Sequence, residues 1–234
     1  DITDLPGDSH KGAALWDIGP TDKEGLIAGQ SPETWLNPNF EESRNLQKPF
    51  LNISDNDLFS ITFTSGTTER PKAVVHRIGG LLGNALSLNL AESIGPDNRF
   101  MQVFPMTYMA GFLNTILSPL MAGASIVIAP QFDAQTALMF WKPVIEHKVN
   151  SFWMTPTMLE ALLRIDRDPN GPAYCRSHVD LMLVGTAPLP SKTKMDFENR
   201  YGVKLLESYG LSEAPIIAAE TAHGSRPEGS VGRA

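Results

Sequence analysis

Apolar and polar positions along the chain fall into two regimes. Residues 1 to about 57 are rich in Pro, Asn, Asp and Gly with weak periodicity, and only one short helix is expected there, near Pro38 to Asn45. From Leu58 onward, short apolar runs alternate with longer amphipathic stretches. The runs Leu58–Phe63, Phe100–Phe104, Ser125–Ala129, Ser151–Met154, Leu181–Val184 and Lys204–Glu207 predict strands. The stretches His76–Glu92, Met109–Ala122, Ala134–Glu146, Pro156–Ile165 and Ser191–Tyr201 predict helices. Pro156 suits a first helical turn, and Gly202 suits a C-terminal stop. The alternation predicts an α/β fold with a mostly parallel sheet and helices on both faces. On this pattern the chain divides into a loop-rich region, 1–57, and an α/β subdomain, 58–234.

One stretch, Met101 to Phe132, carries no charge and is long enough to cross a bilayer. Pro105, Pro119, Pro130, Gly111 and Gly123 divide it into strand, buried helix and strand. A parallel sheet covered on both faces produces such continuous apolar runs, so no membrane span is expected.

In open α/β sheets, ligands sit beyond the carboxyl ends of the strands. Candidate chemistry appears at those places. The segment FTSGTTERPKAVVH, Phe63 to His76, offers the hydroxyls of Thr64, Ser65, Thr67 and Thr68, a glycine at Gly66 and a cation at Lys72. Such a loop of hydroxyls and exposed backbone N–H groups makes an anion-binding concavity, expected here between a strand and a helix. The plainer reading is a polar turn. A common P-loop is disfavoured, because no glycine immediately precedes Lys72 and no Ser or Thr follows it.

The same segment resembles the phosphate loop of the adenylate-forming superfamily, which includes acyl-CoA synthetases, aryl-CoA ligases, luciferase and peptide-synthetase adenylation domains. The family pattern T-S-G-T-T-G-x-P-K-G reads T-S-G-T-T-E-R-P-K-A here, with Glu69 and Ala73 replacing glycines. Further segments resemble the family in the expected order: VFPMTYMAGF (Val103 to Phe112), GTAPLP (Gly185 to Pro190), ESYGLSEA (Glu207 to Ala214) and EGSVGRA (Glu228 to Ala234).

The resemblance implies ATP-dependent activation of a carboxylic acid as acyl-AMP, then transfer to coenzyme A or to a carrier-protein phosphopantetheine. It implies that Thr64 to Thr68 and Lys72 hold the β- and γ-phosphates, and that Gly185, Thr186, Ala187 and Pro188 line the adenine. Tyr209 would stack on the base, Ser212 would donate to the α-phosphate, and Glu213 would bind magnesium. Gly210 and Leu211 would floor the place where acid meets nucleotide, with Tyr108, Gly111 and Ala214 on the acid side. Lys72, Ser212 and Glu213 would carry the catalytic work.

Amino-acid-activating members carry an aspartate shortly after the position of Tyr108, whereas Met109 to Pro119 contains no acidic residue. An unpaired ammonium in an apolar pocket is costly, so an amino-acid substrate is disfavoured. Phe104, Tyr108, Met109, Phe112 and Leu113 point to a fatty or aromatic acid. The family's ribose-binding aspartate, hinge and small C-terminal lid domain, with its lysine, find no counterpart before Ala234. Loss of one positioned charge costs on the order of 100- to 1000-fold in rate, so slow adenylation is expected of these residues alone. A non-catalytic nucleotide- or partner-binding remnant of the same fold stays open as the alternative, favoured by Glu69 and Ala73.

Charge and cysteine content narrow the partners. A net charge of −7 over 234 residues and a pI near 5.2 argue against nucleic acid or an anionic membrane surface. A small-molecule acid, with an acyl-carrier protein as a possible partner, is expected instead. Cys175 is the single cysteine, which excludes internal disulfides and makes the reducing cytoplasm the default compartment. An inert structural thiol is the expectation for it. The first residues show no basic segment followed by an apolar one, so no signal peptide is expected.

Overall fold

The computed structural model describes residues 53–64, 72–221, 224 and 229–233, and from Ser54 onward these belong to one compact unit. Two strands, β1 (Leu58–Thr64) and β2 (Lys72–Arg77), form an antiparallel pair. Helix α1 (Ile78–Glu92) follows directly. The segment after Val74, expected to open a helix, is instead the second strand of a hairpin. Val75 and Val74 pair with Ile61 and Thr62 across the ladder, where β-branched side chains fit best. The segment between Thr64 and Lys72 thus joins strand to strand, and the first described helix after it begins only at Ile78.

The main sheet has strand order β4-β3-β5-β6-β7-β8. It comprises β3 (Arg99–Gln102), β4 (Ser125–Ile128), β5 (Ser151–Met154), β6 (Leu181–Val184), β7 (Leu206–Tyr209) and β8 (Ala218–Ala219). All neighbouring pairs are parallel except β7 with β8. Every residue of β5 and β6 is buried, as expected of central strands covered on both faces. The core beneath one face gathers Trp141, Phe152, Met154, Leu159, Leu162, Phe197 and Tyr201. At the amino ends of the strands, Asn150 accepts from the Arg99 backbone N–H at 2.7 Å and donates to the Asp97 carbonyl at 3.0 Å and the Asp180 carboxylate at 2.9 Å. These bonds fix where β3, β5 and β6 begin.

Helix boundaries follow local chemistry. Between β3 and β4 runs a π-helix, Ala110–Leu117, continued by the turn α2 (Ser118–Met121). The predicted helix Ala134–Glu146 is broken into α3 (Ala134–Leu138) and α4 (Trp141–Glu146). Pro143 explains the break, since its ring excludes a helical carbonyl four residues earlier, at Met139. Helix α5 (Pro156–Ile165) starts on Pro156, with the Thr155 hydroxyl accepting from Met158 N–H at 3.1 Å. An unpredicted helix, α6 (Asn170–His178), precedes β6. Helix α7 (Ser191–Tyr201) stops at Gly202, whose φ of 68° lies in the left-handed region.

Asp166 is buried and accepts from Trp141 Nε1 at 3.0 Å and Tyr201 Oη at 2.7 Å, bracing α4 and α7. Cys175 is buried too, and burial pushes its thiol up to about 12, the setting of a structural rather than a reactive thiol. Among the described residues, no helix is long and apolar enough to cross a membrane.

Candidate active site

One pocket of about 250 Å³ opens at the carboxyl ends of β5, β6 and β7. Its lining comes from five places in the chain: Tyr108, Met109 and Ala110 before and at the start of the π-helix; Asn114 within it; Trp153 on β5; Thr186 after β6; and Ser208 to Ser212 with Pro215 around the end of β7, Tyr209 excepted. Parallel strands deliver loops to one edge, and that is where these segments meet.

The loop after β7 is held tightly. Leu211 N–H donates to the Ala214 carbonyl at 2.9 Å and Ala214 N–H returns to Leu211 at 3.2 Å. Ile217 N–H donates to the Tyr209 carbonyl at 2.8 Å, and Asn84 Nδ2 on α1 donates to the Ile216 carbonyl at 2.8 Å. Gly210 is required by close approach: a Cβ there would lie 1.7 Å from the Pro215 carbonyl oxygen. After β6, Gly185 is buried, and a Cβ would meet Ser208 Oγ at 2.7 Å and the Trp153 ring at 3.2 Å. Thr186 then turns with φ of 75°, a left-handed conformation rare for a β-branched residue. Such strain costs on the order of 1–3 kcal/mol and collects at functional sites.

Of the sequence candidates, Tyr108, Thr186, Gly210, Leu211 and Ser212 meet on this pocket. Tyr209 is exposed at the end of β7, and Glu213 is exposed within the Leu211–Ala214 turn. Ala187, Pro188 and Ala214 lie on the same loops but outside the lining. Gly111 is also outside it. Its carbonyl accepts from Gln102 Nε2 at 2.9 Å and Thr115 Oγ1 at 2.7 Å, and a Cβ would lie 2.3 Å from the Pro105 carbonyl oxygen, so it serves packing. Thr64 and Lys72 face each other across the hairpin register. Ser65, Gly66, Thr67 and Thr68 lie outside the described residues, as do Glu69 and Arg70.

Among the apolar residues expected to shape the acid site, Tyr108 and Met109 line the pocket. Leu113 is instead fully buried against Leu81 and Ala85, and Phe112 stacks on Phe59 with ring centroids 5.2 Å apart. Asn114, Trp153, Ser208 and Pro215 were not candidates from sequence. A lone Asn in the apolar run LNTIL was the available signal.

Residues 7–234 match the family described as AMP-binding enzyme. The chain belongs to this family. Among curated members, it is 31% identical over 180 residues to a sulfoacetate–CoA ligase of Cupriavidus necator, covering 74% of this chain and 33% of that protein. It is 30% identical over 183 residues to a mitochondrial malonate–CoA ligase of Bos taurus, covering 74% of this chain and 31% of that one. The ATP-bound crystal structure of MatB from Rhodopseudomonas palustris superposes with a TM-score of 0.67 at 27% identity, covering 76% of this chain and 34% of that chain. This AMP-binding family chain therefore spans about a third of the length of the relatives it matches.

The donor set suits the nucleotide. Thr186 and Ser212 bring hydroxyls to the pocket beside the closely approached backbone at Gly210, and Tyr209 offers an exposed ring next to it. Among the described residues no three His, Cys, Asp or Glu side chains gather as a self-sufficient metal centre. One exposed carboxylate at Glu213 fits magnesium all the same, because that ion takes few protein ligands and completes its shell with phosphates and water.

Proposed function

We propose that this chain forms the nucleotide- and acid-binding portion of an AMP-forming acid–thiol ligase. The carrying observation is that Tyr108, Thr186, Gly210, Leu211 and Ser212, from separate segments, share one pocket at the carboxyl ends of the parallel strands. The names of the relatives, both CoA ligases, support coenzyme A as the thiol, with a carrier-protein phosphopantetheine as the other acceptor of the same chemistry.

In the first half-reaction a carboxylate oxygen attacks the α-phosphorus of ATP and pyrophosphate leaves. In the second, the thiol sulfur attacks the acyl carbon and AMP leaves. The protein's contribution is alignment and charge stabilisation. Tyr209 supplies a π-face for adenine, and Gly185 to Pro188 border it. Thr64 to Thr68 with Lys72 hold the outer phosphates. Ser212 donates to the α-phosphate where charge builds. Glu213 would hold magnesium, which shields phosphate charge when bound. The acid enters past Tyr108 and Met109, whose apolar contribution supports a compact fatty or aromatic acid.

The test is ATP-dependent pyrophosphate release by the full-length protein over a panel of acids. Release is expected, with Lys72→Ala and Ser212→Ala each lowering it on the order of 100-fold. No release with any acid, despite ATP binding, would instead favour a nucleotide-binding remnant.

A further inference from the structure

Two residues of the pocket lining each carry a buried polar atom with no hydrogen-bond partner: Asn114 at Oδ1 and Trp153 at Nε1. The other unpartnered side-chain atoms among the described residues, on Ser60, Asn84 and Glu92, lie outside this lining. Leaving such a group unpaired is unfavourable, which gives the pair significance if a ligand completes it. An indole N–H only donates, while a carboxamide presents an acceptor and a donor.

Depth separates these two residues from the rest. Asn114 is 4% and Trp153 2% exposed, whereas the other nine lining residues are half-buried or exposed. The nucleotide-side residues Thr186, Gly210, Leu211 and Ser212 are among those nine. On the ligase reading, an acid whose carboxylate lies beside Thr186 and Ser212 leaves the more deeply buried residues Asn114 and Trp153 for its far end.

The lining also has a definite charge character. All eleven described residues of the lining are uncharged. A second carboxylate or sulfonate would meet no lysine or arginine among them, and an ammonium would meet no acid. A plain hydrocarbon tail would leave both polar atoms unsatisfied. A hydroxyl or carboxamide, which both donates and accepts, satisfies them without bringing a charge.

We propose that Asn114 and Trp153 together select a carboxylic acid carrying a neutral hydrogen-bonding substituent distal to the carboxylate. This rests on the ligase reading of the same pocket. It separates the chain from relatives named for malonate and sulfoacetate, whose substrates carry a second negative charge.

The experiment measures pyrophosphate release by the full-length protein on matched acids: butyrate against 3- and 4-hydroxybutyrate, benzoate against 3- and 4-hydroxybenzoate, and malonate. At least one substituted acid is expected to exceed its hydrocarbon parent in kcat/KM by on the order of tenfold or more. Asn114→Leu should erase that preference, bringing the ratio of substituted-acid to parent-acid kcat/KM down to about one. In protein labelled with ¹⁵N-tryptophan, the preferred acid should move the Trp153 Nε1–H resonance, assigned by its loss in Trp153→Phe, and the parent should not. The proposal is overturned if the parents equal their substituted partners throughout, or if malonate is best. In both cases the ligase reading stands. Absence of release with every acid removes both readings together.

Discussion

The parallel sheet and the β1–β2 hairpin both contain large apolar side chains but expose them to opposite extents. In β5 and β6 every side chain is covered. In the hairpin, Leu58, Phe59, Ile61, Phe63 and Val75 are all exposed, Phe63 by 71%. Scattered exposed apolar residues are ordinary, but five on one two-stranded element are not. The hairpin is fastened to the rest by the Phe59–Phe112 stack and by the run of β2 into α1. A two-stranded pair alone is marginal in water. The sheet thus carries stability and the pocket floor, while the hairpin presents Thr64 and Lys72 with little core of its own.

Four substitutions test that contrast, the largest effect first. Leu183→Ala, at a fully buried position of β6, should cost about 3–5 kcal/mol in chemical denaturation, and a cost near zero would show the sheet is not the stabilising region. Gly210→Ala forces the Pro215 carbonyl to move, costing about 1–3 kcal/mol and weakening adenylate-analogue binding in calorimetry.

Glu92, at the end of α1, comes next. Burial first, and then the nearby Glu220 charge, raise its carboxyl from 4.5 to about 7, and neither oxygen has a hydrogen-bond partner. Between these values the folded chain holds a proton that the unfolded chain has released. Its stability contribution is therefore full below 4.5 and lost as pH rises through about 7. Glu92→Gln should raise stability by about 1 kcal/mol near pH 8, after allowance for solvent screening, and change little near pH 5; a Tm difference independent of pH would contradict this. Phe63→Ser should change stability by less than about 0.5 kcal/mol, and a larger loss would mean the hairpin is packed more firmly than its exposure indicates.

What the sequence disclosed divides along similar physical lines. Strands β5 and β6 were legible residue by residue, because double-sided burial leaves an uninterrupted apolar run. Strand β2 was not: AVVH fits either a strand or a helix start, and its partner lies across a loop. Helix α6 was hidden by Asn170, Gly171 and Pro172, ordinarily breakers. It forms because Gly171 packs flat on Trp141, where a Cβ would lie 2.4 Å from the ring. At the site, Tyr108, Thr186, Gly210, Leu211 and Ser212 stood out through their motifs. Asn114 and Trp153 did not, since an unpartnered atom is a property of surroundings rather than of sequence.

The π-helix gives one wall of the pocket a fixed length. Its hydrogen bonds reach back five residues, as the bond from Ser118 N–H to the Leu113 carbonyl shows. Deleting a single residue would let the wider coil relax to α geometry and rotate all that follows by about 100°. The part of the pocket lined by Asn114 would then be rebuilt. Side chains along this stretch are free to diverge, but its residue count is not, because a one-residue gap here would reshape the wall of the pocket.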